Sequence, residues 1–153
     1  MSETPGSRTL HRLIYASRIT LPPIDLNAEV AEIVRASIRN NRDVAISGLL
    51  LVHGGYFLQM LEGPTEAVLT TYGRICEDPR HADAKVLGAG PAQARAFADW
   101  NMCARRITPA DEAILDTLSM RAFEPHRLTP SSALRLLQAV RGIQDRTQLR
   151  ALR

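Results

Sequence analysis

The sequence predicts an α+β fold in which two helices lie on one face of a mostly antiparallel sheet, in the chain order β-α-β-β-α-β-β. Three observations carry this. Two stretches of helical periodicity alternate with short runs of strand character. The middle two strand runs are joined by His53-Gly54-Gly55, a strong hairpin signal because glycine reaches the positive φ that tight turns require. Apolar residues stand on both faces of the strand that follows, so both faces of the sheet need cover.

In chain order, residues 10–17 read as a short apolar strand with Tyr15 near its end, and residues 20–23 break it. A helix is predicted over 26–40, with Leu26, Val30, Ile33, Val34 and Ile38 at helical spacing and Asp25 as N-cap. Asn40 and Asn41 suit its end, because asparagine tolerates left-handed backbone angles. Residues 46–52 and 56–62 are the hairpin strands. Gly63-Pro64 stops the second of them, and a helix over 64–77 is predicted to start at Pro64 and bury Val68, Leu69, Tyr72, Ile75 and Cys76. Residues 85–89 and 97–104 read as two further strands. Together they make a ferredoxin-like arrangement with one extra strand. Two C-terminal helices, opening at Thr108-Pro109 and Thr129-Pro130, are expected to pack on or near the other sheet face; the second carries Ala133, Leu136, Leu137, Val140 and Ile143 in a stripe.

The chain has 153 residues, 45% hydrophobic and 23% charged, as expected of a globular domain. No apolar run approaches the roughly 20 residues of a spanning helix, and the first nine residues lack a signal-peptide layout. A cytoplasmic location without membrane contact follows as the expectation, with residues 1–9 a flexible leader. Two cysteines, Cys76 and Cys103, make neither a disulfide framework nor a metal site. Residues 1–120 carry 12 basic and 14 acidic side chains, whereas residues 121–153 carry 7 and 2. The basic tail suits an acidic partner surface; no nucleic-acid recognition motif accompanies it, which disfavours that partner.

Several polar residues are not explained by strand packing. Gln59 shares a strand face with Phe57 and Leu61, and Tyr15 shares one with Leu13. A buried amide needs partners, so a private Gln59–Tyr15 hydrogen bond that fixes register is the plain reading. Arg74, Asp78, Arg80 and His81 cluster at the end of the second helix, where a solvated charge group is the plain reading. Trp100 and Met102 share a strand face and suit core filling.

Taken in order, these stretches resemble the BLUF family of blue-light sensors. Leu13-Ile14-Tyr15-Ala16-Ser17 resembles its opening strand, and Asn40-Asn41 followed by Ile46-Ser47-Gly48-Leu49-Leu50 its first helix end and second strand. Phe57-Leu58-Gln59-Met60-Leu61-Glu62-Gly63-Pro64 resembles its most diagnostic stretch; Asp78-Pro79-Arg80-His81 and Phe97-x-x-Trp100-x-Met102 complete the pattern. The matches run in register from about residue 10 to 104. Ala45 stands where a glycine is common, and Ser47 where a threonine is common.

The resemblance implies that residues 10–106 bind FAD, with FMN as the alternative, between the two helices. It implies Tyr15 as the photoactive electron donor and Gln59 as the switching amide between tyrosine and flavin. Asn40, Asn41, Arg74, Asp78, Arg80 and His81 are implied flavin contacts, and Trp100 and Met102 the strand that passes the signal on. Residues 107–153 are then a signalling or oligomerisation extension. No effector domain fits after Arg106, so output is expected to pass to a downstream signalling protein, from a homo-oligomer of two or more chains. An enzyme is disfavoured, because neither a dinucleotide fingerprint nor a nucleophile–base pair is present. The alternatives are a flavin-dependent redox enzyme and a flavin-free interaction domain using its basic tail.

Overall fold

The computed structural model of the chain describes residues 10–98, 103–106 and 123–151. Five strands, β1 (Leu10–Ile19), β2 (Ser47–His53), β3 (Tyr56–Pro64), β4 (His81–Pro91) and β5 (Cys103–Arg106), form one sheet in the order β4-β1-β3-β2-β5. Three long helices accompany them: α1 (Leu26–Asp43), α2 (Thr65–Cys76) and α3 (Pro130–Ala151). All pairings are antiparallel except β2 with β5, which is parallel. The predicted α+β, ferredoxin-like order is present. The predicted leader (1–9), the first C-terminal helix (from Thr108), Trp100 and Met102 lie outside the described residues.

Side-chain alternation divides the core in two. Leu13, Tyr15, Leu50, Val52, Phe57 and Leu61 face one side, where Val68 of α2 joins them and Leu26, Val30, Ile33 and Ile38 of α1 pack against them. Ile14, Ala16, Leu49, Leu51, Leu58 and Met60 face the other, under Ala133, Leu136, Leu137 and Val140 of α3. The second C-terminal helix thus covers the opposite face as predicted. Its first turn presses on β4 at Gly88, where a Cβ would lie 2.8 Å from the Pro130 ring, so only glycine fits there without a shift.

The hairpin turn is as read: Gly54 and Gly55 both have positive φ, 58° and 87°, the pattern of a two-residue turn that matches strand twist. Other boundaries move for local reasons. Asp25 does not cap α1; it belongs to a 3-10 turn (Pro23–Asp25) that runs directly into the helix. Pro64 ends β3 and serves as the N-cap of α2, with extended backbone angles of −57° and 140°, so the helix begins at Thr65, one residue after the predicted start. Leu69 and Cys76 of α2 are exposed. They lie seven residues apart on one flank of the helix, whereas the sheet takes only the stripe through Val68, Thr71 and Ile75. Phe97 is fully buried but precedes β5 rather than belonging to it.

That residue belongs to the segment that carries the chain from the β4 edge of the sheet towards β5 at the other edge. Glu62 of β3, fully buried on the α3 side, holds it. The Ala96 and Phe97 backbone amides donate to the Glu62 carboxylate at 2.8 and 2.6 Å, and the Ser47 hydroxyl at 3.2 Å. Arg95 then donates to the Ser47 hydroxyl (2.7 Å) and to the carbonyls of Glu62 (3.1 Å) and Ala45 (2.7 Å). From α3, Arg141 donates to the Ala96 carbonyl at 2.6 Å and sits over the Phe97 ring.

Ala45, which stands where the resembling family commonly has glycine, has a φ of 58°. An L-residue there is crowded by its own Cβ. Ala45→Gly is therefore expected to raise stability by about 0.5–1 kcal/mol, the relieved strain outweighing the added freedom of the unfolded chain. Urea unfolding of the two proteins side by side checks this, and a lower midpoint for the glycine variant would refute it.

Candidate functional site

The sheet face between α1 and α2 carries a cleft of two adjoining hollows, the second the larger. Ile33, Ser37, Gln59, Ile75, Asp78 and Arg80 line both. Three strands set one inward residue each side by side: Tyr15 from β1, Gln59 from β3 and Leu50 from β2. These three are consecutive cross-strand partners, and the same row continues to Val86 of β4 and Ala104 of β5.

At the floor of the cleft the Tyr15 hydroxyl donates to Gln59 Oε1. Both side chains are almost fully buried. Burial pushes the Tyr15 phenol well above its ordinary pKa, and nearby Tyr72, Cys76 and Asp78 act in the same direction. The phenol therefore keeps its proton, and Gln59 is the group placed to receive it if the ring loses an electron. Tyr15 sits among other rings, 5.2 Å from Tyr72 and 6.2 Å from His81 between centroids.

His81 is held in one orientation. Its Nε2–H donates to the Ile75 carbonyl at 2.6 Å, which leaves Nδ1 to meet the Ser17 hydroxyl at 2.7 Å. The turn from α2 to β4 is closed by Asp78, whose carboxylate accepts from the Arg80 backbone amide (2.9 Å) and guanidinium (2.6 Å). Hydrogen bonding from Arg80 holds the Asp78 carboxyl below its usual range. The contribution of that ion pair to stability is thus present above the ordinary carboxyl pKa and lost as pH falls through the lowered one. Arg80 also reaches Glu29 of α1, 3.7 Å away, and so bridges the mouth of the cleft.

Of the residues singled out in the sequence, Tyr15, Asn40, Gln59, Arg74, Asp78, Arg80 and His81 all line this cleft. Asn41 lies at the end of α1, and its side chain is outside the described part of the structure, as are Trp100 and Met102. Sequence reading missed Ser37, Leu50, Thr71 and Ile75 as lining residues. Parity on β2 gives Leu50, and the helical spacing Thr71, Ile75, Asp78 gives the α2 face.

The residues fit a flavin. A flat, largely apolar ring with a polar edge matches apolar walls from Ile33, Leu50, Phe57 and Ile75 and a rim of Asn40, Arg74 and Asp78. Thr71 Oγ1 is buried at the cleft with no hydrogen-bond partner, a polar atom left for something the protein itself does not supply.

Comparison with known proteins agrees with this geometry. The family model described as "BLUF: Sensors of blue-light using FAD" matches residues 10–103. The photoactivated adenylate cyclase subunit beta of Euglena longa is 33% identical over 140 residues, covering 88% of this chain and 16% of that protein. The blue light- and temperature-regulated antirepressor BluF of Escherichia coli (strain K12) is 39% identical over 89 residues, 58% of this chain and 21% of that one. The dark-state structure of BlrB, a BLUF protein, superposes with a TM-score of 0.74 at 29% identity, covering 90% of this chain and 98% of that one. The chain spans less than a quarter of the length of these two curated relatives.

Proposed function

The chain belongs to the BLUF family of flavin-binding blue-light sensors, and from that premise we propose how its own residues do the sensing. The observation that carries the proposal is the buried Tyr15–Gln59 hydrogen bond at the floor of the cleft. When bound, the flavin supplies a ring that absorbs blue light and becomes a strong one-electron oxidant on excitation. Tyr15 gives up the electron, and its hydroxyl proton passes to Gln59. Gln59 then settles in a new hydrogen-bonding arrangement, because an amide offers both donors and acceptors. The electron and the proton would return to Tyr15, restoring the phenol, and what would remain is a changed hydrogen bond at Gln59, a state that biases a neighbouring two-state element.

Asn40, Asn41, Arg74, Asp78, Arg80 and His81 hold the flavin. FAD is the proposed form, in line with the family description, with FMN the competitor. Residues 10–106 form the sensing domain; residues 107–153 serve signalling and assembly. The cross-strand row from Tyr15 through Gln59 and Leu50 to Ala104 supports passage of the change to β5, and Trp100 and Met102 are proposed to act on that side. The output goes to a separate signalling protein, from a homo-oligomer in the cytoplasm, and the chain itself turns over no substrate. Among the described residues no helix is long and apolar enough to cross a membrane.

The deciding experiment is an absorption spectrum of the purified protein in darkness and directly after blue light. A flavin band that shifts to the red and recovers in the dark is expected. Bound flavin with no reversible shift overturns the photochemistry, and no flavin after reconstitution overturns the binding site.

A further inference from the structure

We infer that Thr71 is a flavin-contacting residue, its hydroxyl hydrogen-bonding the ring system from the α2 side of the cleft. This rests on the flavin reading above and adds a residue to it. Three observations support it. Thr71 is 9% exposed, on the single face of α2 that meets the sheet. Its Oγ1 has no partner in the protein, although a helical threonine hydroxyl ordinarily satisfies itself on the carbonyl one turn back. It lines the larger hollow together with Gln59, Leu61, Arg74 and Asp78, with Ile75 and Asp78 following it at helical spacing.

A buried hydroxyl without a partner destabilises the empty protein and is satisfied only when a ligand with a carbonyl or ring nitrogen arrives. Stability without ligand and affinity for it therefore respond in opposite directions to one substitution. Thr71→Val keeps the shape and removes the hydroxyl. It is expected to leave the melting temperature of the flavin-free protein unchanged or higher, and to weaken flavin binding about 5- to 30-fold. Thr71→Ser keeps the hydroxyl and is expected to bind within about threefold of the parent.

The test is fluorescence titration of the flavin-free protein with riboflavin, which presents the ring without phosphate or adenylate, beside thermal melts of the same three samples. Weaker riboflavin binding in the valine variant, with no loss of melting temperature and with the serine variant intact, supports the assignment. Equal affinity in valine variant and parent overturns it while leaving the flavin reading standing. A valine variant that melts lower without flavin shows a packing role for Thr71 and also overturns it. A parent that binds no riboflavin, FMN or FAD overturns the reading beneath.

Discussion

Replacing Tyr15 by phenylalanine is expected to leave the flavin bound and abolish the reversible red shift. The phenyl ring preserves the contacts with Tyr72 and His81, so the cleft keeps its shape. What goes is the donor hydroxyl to Gln59 Oε1, and with it a phenol that is placed to yield an electron with a proton acceptor in contact. Losing that buried hydrogen bond costs about 1–3 kcal/mol, small enough for the variant to fold. Dark and illuminated spectra of the variant check this. A full red shift without the Tyr15 hydroxyl means another residue is the donor. Gln59→Leu gives the complementary result, bound flavin without a shift, if the amide is the switch.

The largest effect on stability is expected at Glu62, three residues along β3 from Gln59 but on the opposite face of the sheet. Glu62→Leu takes the acceptor away from the buried Phe97 amide, the half-buried Ala96 amide and the Ser47 hydroxyl. A buried N–H group that loses its acceptor costs about 1–3 kcal/mol and a half-buried one less, so a loss of about 2–4 kcal/mol is expected, or roughly 10 °C in melting temperature. Glu62→Gln keeps one carbonyl acceptor but turns an NH2 group towards a backbone N–H, and about half the loss is expected. Thermal and urea unfolding of the flavin-free proteins measure both. A leucine variant within 1 kcal/mol of the parent would mean that packing around Phe97, rather than the carboxylate, holds this crossing segment.

The difference between Gln59 and Glu62 shows what the sequence could disclose. Gln59 is a polar residue on a strand whose two faces are both apolar, which marks it as interior, and the register of β3 against the adjacent β1 then sets it opposite Tyr15. Glu62 is equally interior, yet its partners are backbone amides 34 and 35 residues on. Backbone donors carry no residue signature, so nothing in the string marks them. Thr71 was hidden for a related reason: an unpaired hydroxyl is defined by the absence of neighbours, which only coordinates supply. The strand–helix order was legible because sheet and helix periods differ. Element ends were less so. Asp25 and Pro64 both suit a helix start chemically, but a preceding 3-10 turn and an extra strand residue displaced them. Arg95, on a stretch without periodicity, gave no hint that it ties three carbonyl and hydroxyl groups together.

β5 is four residues long and, among the described residues, its only ladder is the parallel one with β2. A strand held by one ladder can open without a second ladder opening with it, so its local unfolding costs less than global unfolding. The row that begins at Tyr15 and Gln59 ends on this strand at Ala104. A rearrangement worth only one hydrogen bond would be lost in the middle of a five-stranded sheet, yet it is comparable to the opening free energy of its weakest member. Amide exchange at 103–106 is therefore expected to respond to illumination more than exchange at β1 or β3, and the margin of the sheet, rather than its centre, would set how small a chemical event the protein registers.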